Sequence, residues 1–277
     1  MKKRYLFLLS ALLLSGCSND NVYSIKDNKV EYGYYPQSIV TDESIISTLK
    51  NITETNKQGY IEHNKKMYAK VETTFSQEEI VLREGVKLIK GNTYYFEVET
   101  ITWNILKNSE ETYYLMTEKI IDCQQYAKYE NNYKNSYVRQ FLNNDFINKA
   151  FKDTSYIVEE NVDNSKSSTI DADNYFACEN TSDKVYLLSY QDMKNAEYGF
   201  SLESGKDEKR IAYLTDYAIA KGAWKNDQNA GWYWTRSPNN VVNYSASSVA
   251  GDGALTAGHY VYYQSAGIRP AITFKVK

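Results

Sequence analysis

Read for the spacing of its apolar positions, the chain alternates short strand-like runs with brief helical ones. The clearest early run is Tyr94 to Leu106. There Phe96, Val98, Ile101, Trp103 and Ile105 share one face of a strand, given a one-residue slip near Thr100 that a bulge would absorb. Asn108 to Glu111 turns the chain, and Thr112 to Thr117 pairs back. Upstream, Lys29 to Gln37 reads as an entry strand stopped by Pro36. Asp42-Glu43-Ser44 opens a short helix with Ile45, Ile46 and Leu49 on one face. Tyr60 to Val71 reads as a hairpin around Asn64-Lys65-Lys66, and the charged stretch from Glu78 to Lys90 as a solvated surface excursion.

Helical spacing dominates the middle. Ser136 caps a helix carrying Val138, Phe141 and Leu142. Asn143-Asn144-Asp145 interrupts it, and Asp145 caps a second turn with Phe146, Ala150 and Phe151. Asp183 to Leu188 predicts a short apolar strand, and Ser189 to Asp192 has capping-box spacing for another helix. Thr215 to Gly222 is a compact helix with a glycine stop. From Gly231 to Phe274, aromatic and β-branched runs alternate with turn clusters, which predicts a C-terminal β-meander of antiparallel strands. Alternation puts Trp232, Trp234 and Arg236 on one face and Tyr233 and Thr235 on the other. It likewise sets Tyr260 and Tyr262 opposite Tyr263. A meander needs a cover for one face. The expectation is an α+β domain over residues 28–277, short helices packed on antiparallel strands.

Composition changes this picture little. The 277 residues are 42% hydrophobic, enough for a real core, and hold 27 Tyr against 9 Phe and 4 Trp. Tyrosine suits half-exposed sheets and recognition surfaces, because its ring buries while its hydroxyl stays wet.

The amino terminus carries more information. Lys2, Lys3 and Arg4 precede an apolar run, Tyr5 to Leu14, too short to span a bilayer. Leu14-Ser15-Gly16-Cys17 follows and resembles a bacterial lipobox. That resemblance implies a signal peptide over residues 1–16, a diacylglyceryl group on Cys17, and a polar tether over 17–27. It further implies a membrane-anchored lipoprotein on the extracytoplasmic side of a bacterial cell envelope. Losing the three basic residues of the leader leaves 29 basic against 35 acidic residues. Nucleic acid is thereby disfavoured, since the sign is wrong and no basic stripe exists.

Six ordered motifs resemble a bacterial domain family of unknown function, DUF6273. They include Thr100-Ile101-Thr102-Trp103-Asn104-Ile105-Leu106, Asn135-Ser136 with Arg139, and Thr181 to Ser189. The others are Thr215-Asp216-Tyr217-Ala218, Trp234-Thr235-Arg236-Ser237-Pro238 and Gly267-Ile268-Arg269-Pro270-Ala271; Thr235 departs from the family's usual leucine. The closing aromatic-Arg-Ser and Gly-aliphatic-Arg strands also look like the C-type-lectin-like fold of formylglycine-generating enzymes. The oxidase chemistry of those enzymes does not carry over, because no cysteine follows Cys178.

Candidate chemistry is sparse. His63 and His259 lie away from metal-ligand spacing, and no phosphate loop or nucleophile elbow is present. Cys123 and Cys178 could close a disulfide in an exported chain. No cofactor is required by any motif. Calcium is the one candidate, at Asp171-Ala172-Asp173-Asn174 or Trp224-Lys225-Asn226-Asp227, against the plainer reading of solvated acidic loops. Trp232, Tyr244, Tyr260 and Tyr262 form a candidate ligand surface for glycan or peptide. Trp234, Arg236 and Arg269 are assigned structural roles, with Asp183 and Asp216 as carboxylate partners for the arginines. The favoured reading is a lipid-anchored binding module. Its rivals are a hydrolase or oxidase with an unrecognised site and a structural envelope lipoprotein.

Overall fold

The computed structural model describes residues 22–276. The leader and Cys17 lie outside them. The described chain opens on a hairpin of β1 (Tyr23–Lys26) and β2 (Lys29–Ile39). Asp27 and Asn28 between them have φ of 50° and 59°, the left-handed pair of a tight two-residue turn. The expected tether therefore gives way to a strand at Tyr23, whose ring packs edge-on against Tyr156 and Phe274. Nor does Pro36 stop β2. Beyond Tyr32 the strand pairs only with β7 (Thr93–Asn108), and a missing N–H is harmless on such an edge.

Local signals place the next elements. Helix α1 (Glu43–Leu49) is capped by Asp42, which accepts from the Ser44 and Ile45 amides at 2.8 and 3.2 Å. Its Leu49 packs with Ile61, Tyr68 and Tyr95. β3 (Ile61–His63) and β4 (Lys66–Glu72) turn on Asn64 and Lys65, again with positive φ. The charged stretch expected as a surface excursion is a hairpin, β5 (Glu79–Val81) with β6 (Lys87–Ile89). It sends Leu82 and Leu88 into the main core, and its charges line the outer face.

In β7, Phe96, Ile101 and Trp103 are fully buried, as the pattern required. The phase slip is a bulge in the partner strand: Glu31 faces Thr102 but Tyr34 faces Thr100. Gly33 occupies the extra position at φ +76°, and a Cβ there would lie 2.6 Å from Phe151 Cε1. Trp103 Nε1 donates to Tyr32 O at 2.8 Å across the bulge.

β8 (Thr112–Thr117) and β9 (Asp122–Cys123) lead into the helical section. α2 (Tyr137–Phe141) is capped by Ser136, whose hydroxyl accepts from the Arg139 amide at 3.1 Å. The expected break at Asn143-Asn144-Asp145 is a wide π turn, Leu142–Phe146, running directly into α3 (Ile147–Ala150), so Asp145 caps nothing. Asn143 instead turns outward from the helix, donating to Val185 O at 2.8 Å and accepting from the Lys184 amide at 3.0 Å.

β10 (Ile157–Val158), β11 (Glu160–Val162) and β12 (Thr181–Asp183) follow. Val185 to Leu188 is buried but is not a strand. Its backbone is met piecemeal by Asn143, by the Tyr133 hydroxyl and by Arg236. The Ser189 and Asp192 capping box closes reciprocally at 2.9 and 2.8 Å, yet it starts only the single turn Asp192–Lys194. β13 (Ala212–Tyr213) precedes α4 (Asp216–Ala220), the compact helix expected here, which Thr215 caps.

The last strands are β14 (Ala230–Gly231), β15 (Tyr233–Pro238), β16 (Ser245–Val249), β17 (Leu255–Tyr260), β18 (Gly267–Ile268) and β19 (Ala271–Lys275). Only β15, β16 and β17 form the expected meander. β18 returns parallel to β15, and β19 leaves for the other sheet. An eight-stranded sheet runs β1-β2-β7-β8-β19-β10, with β4 and β3 on a branch; a five-stranded sheet runs β17-β16-β15-β18-β9. One continuous core draws on both sheets and on α2 to α4. The fold is thus mixed, mostly antiparallel strands with a few short helices. Among the described residues no helix is long and apolar enough to cross a membrane.

Candidate functional site

Strand β15 is buried along its whole length, so its polar side chains must be answered inside the protein. Trp234 Nε1 donates to Gln124 O at 3.0 Å, and Arg236 bonds Asp192 at 2.6 Å and the carbonyls of Leu187 and Asp163. Asp183, one of the two carboxylates expected to answer the arginines, is held by Arg139 at 2.7 Å. Asp216 does not pair with Arg269; it accepts from the Ile39 amide at 3.0 Å. Arg269 is answered by Thr117 O at 2.9 Å and by the Tyr233 hydroxyl at 3.0 Å. All three motif residues are buried with their polar groups bonded inside the protein, the two arginines through partners other than the expected carboxylates.

Sequence reasoning missed Arg210 altogether. Fully buried, it donates to the carbonyls of Met193, Ser201, Glu203 and Gly205, with Asp207 at 3.5 Å. The Asp207-x-x-Arg210 spacing was its only local trace.

The expected disulfide is not formed: Cys123 and Cys178 are both free. Cys123 sits on β9 with Sγ donating to Gln264 O at 3.0 Å, whereas Cys178 lies in a loop beside Tyr133 and Lys134. Burial pushes both thiols up, so neither is a ready nucleophile.

The candidate calcium loops are occupied with their own turns. Asp171 accepts from the Asp173 amide, Asn174 is buried against Pro238 O, and Asn226 accepts from the amides of Gln228 and Ala230. Among the described residues no group of three or more His, Cys, Asp or Glu could hold a metal ion.

What the C-terminal sheet builds at its edge is an aromatic cleft of about 480 Å³. Trp224, Trp232, His259 and Tyr263 wall it, with Asn226, Asp252 and Ser265 supplying polar groups. Trp232 and His259 stack at 4.3 Å, and Tyr263 stands edge-on to Trp232 at 6.4 Å. Trp224 is 47% exposed, Trp232 only 7%. His259 is held by Ser248, whose hydroxyl lies 2.8 Å from Nδ1 and 2.7 Å from Thr256 Oγ1. Burial lowers the His259 pKa, which favours the neutral ring and its apolar face. The turn from β16 to β17 brings Gly251 and Asp252 to the rim. It depends on Gly253 at φ +81°, where a Cβ would meet Asp207 O at 2.0 Å.

Tyr260, Tyr262 and Tyr263 do not alternate across a strand. β17 ends at Tyr260 and the chain turns, the Tyr263 amide donating to Tyr260 O at 3.0 Å. The three rings therefore cluster: Tyr260 stacks on Tyr262 at 5.4 Å and meets Tyr263 edge-on at 5.4 Å. Tyr244 joins Tyr260 at 5.8 Å. Of the expected ligand surface, only Trp232 lines the cleft. Tyr244, Tyr260 and Tyr262 form an exposed ridge beside it, joined to it through Tyr263.

The cleft has binding groups but little machinery. Ser248 is fully buried, so its contact with His259 presents no accessible nucleophile. Asp252 is the one carboxylate of the lining, held below the usual range by the Ala254 amide and Lys206. The carboxyls that burial pushes up, Asp122 and Asp216, do not line it; Asp122 accepts from the Tyr35 hydroxyl at 2.5 Å in the core.

A family model described as a domain of unknown function (DUF6273) matches residues 110–276. No curated protein and no solved structure matches the chain.

Proposed function

The chain belongs to the DUF6273 family, and since a domain of unknown function brings no activity with it, we propose one from the cleft: a glycan-binding module. The observation that carries this reading is the open aromatic wall of Trp224, Trp232, His259 and Tyr263, with polar groups only at its margin. Sugar rings offer apolar C–H faces to such a wall and hydroxyls to residues such as Asn226 and Asp252. Small-ligand sites share this make-up, an apolar lining with a few placed polar groups. The lipobox-like stretch ending at Cys17 supports a location on the outer side of a bacterial membrane, with the lipid as anchor. A lectin-like architecture is part of the same reading. It is supported by β15 and β18, the strands of the aromatic-Arg-Ser and Gly-Ile-Arg motifs, which pair side by side at Tyr233 and Gly267.

The test is a glycan array followed by titration of wild type and Trp224→Ala. Because Trp224 is half exposed, its loss should leave the melting temperature unchanged and weaken a bound glycan about tenfold, one stacked ring's worth. Absence of glycan binding, or equal binding by the variant, sinks the reading; binding confined to peptides would replace it. For the anchor, membrane fractionation of cells expressing Cys17→Ser decides, and a variant that stays with the membrane refutes it.

A further inference from the structure

The cleft does not stand alone. A second cavity of about 510 Å³ adjoins it, with Trp224 and Ser265 lining both. A third, of about 820 Å³, adjoins the second, and those two share Val81 and Lys225. All three draw lining residues from the segment Gly222 to Asn229. Each has the volume of an ordinary small-ligand site.

Their chemistry changes along the way. The first is aromatic. The second passes between Phe75 and Ile80 on one side and Gly222 to Lys225 on the other. The third is polar, with Arg83 and Lys225 as its cations and Asp227 as its one acid. Among the described residues neither Arg83 nor Lys225 is in an ion pair. Asn229 also lines this cavity; its amide donates to Leu214 O at 3.3 Å while its Oδ1 has no partner. The wall that carries Arg83 is the hairpin of β5 and β6, upstream of the family-matched residues.

We propose that the three cavities form one groove for a carboxylate-bearing oligosaccharide. Its neutral rings stack in the aromatic cleft, and its acidic sugar reaches Arg83 and Lys225. This rests on the glycan reading of the cleft and adds two claims to it, ligand length and ligand charge. Arginine suits the second claim, because its planar fork meets a carboxylate with two parallel hydrogen bonds. Both cations are solvent-facing, so their contribution weakens as salt rises.

Calorimetric titration of the purified protein with four probes tests it: chitobiose and chitohexaose as neutral sugars, and the disaccharide and hexasaccharide of hyaluronan, which alternate neutral and acidic sugars. The hyaluronan hexasaccharide should bind at least tenfold more tightly than its disaccharide and than chitohexaose. The double variant Arg83→Gln/Lys225→Gln should lose that advantage while keeping the wild-type affinity for chitobiose and the wild-type melting temperature. If chitobiose binds through Trp224 but length and charge make no difference, the groove falls and the cleft stands. Failure of every probe to bind wild type removes both. A double variant that retains its preference for the acidic hexamer overturns the assignment of Arg83 and Lys225.

Discussion

Of the 24 buried polar or charged residues among those described, one, Thr73, precedes residue 110; the remaining 23 run from Thr117 to Thr273. The upstream region is sealed by alternation, with β7 turning Phe96, Ile101 and Trp103 inward against other apolar groups. The family-matched region is sealed by hydrogen bonds from buried side chains to backbone carbonyls, as at Arg210, Arg236 and Arg269. Volume specifies the first and geometry the second. A core of the first kind tolerates any side chain of similar bulk, whereas one of the second kind strands a buried acceptor whenever a donor is moved.

The sharpest break in this comparison is Arg210→Met. It strands a set of carbonyls and Asp207, and should cost roughly 4–5 kcal/mol in urea unfolding. Arg210→Lys should recover little of it, since an ammonium cannot reproduce the fork. Upstream, Phe96→Ala should cost about 3–4 kcal/mol but Phe96→Leu only about 1 kcal/mol. Equal recovery by the two conservative variants would erase the distinction. Gly33→Ala comes next, at about 2–3 kcal/mol, because it combines positive φ with a clash on Phe151; a neutral result would mean the bulge relaxes. Replacing both Tyr260 and Tyr262 by Ala should cost no more than about 1 kcal/mol, as both rings are more than two-fifths exposed. A large drop in melting temperature would make that ridge part of the core.

The smallest effect is one of pH. The folded-state pKa of His259 lies below its ordinary value of 6.5. The unfolded chain therefore takes up the proton first. Stability present above that value should fall as pH drops through 6.5 towards the folded-state pKa, then level off. His259→Phe keeps the stack on Trp232 and should flatten the melting curve across that window. An unchanged pH dependence would assign it to other groups.

What was legible follows the same division. Asp42, Ser136 and the Ser189–Asp192 box all cap where the sequence put them, because a cap is satisfied within a few residues. The strands β2, β4, β7 and β8 were legible from their apolar positions, whereas β1 was hidden in the expected tether and β5 and β6 in the charged stretch. The arginine partners were not, since those contacts join residues 36 or more positions apart, as Arg269 and Tyr233 or Arg236 and Asp192 do. The cleft was half legible. Trp232 stood out as an aromatic in a strand, but Trp224 and Tyr263 reach the same wall only because turns carry them there. Tyr263 shows the cost of the assumption: alternation assigned it to the far face, and a single hydrogen bond to Tyr260 O reversed the outcome.

Strand β19 sits inside the large sheet, between β8 and β10, although it is the last strand of the described chain. During synthesis the sheet is therefore open along two edges until residues 271–275 emerge. A chain cut before Ala271 would keep both edges bare, each offering unpaired amides and carbonyls to any passing strand. The closing segment thus acts as a completeness check. Chains lacking it expose the sticky backbone that proteases and aggregation act upon, and those that have it hide that backbone in one step.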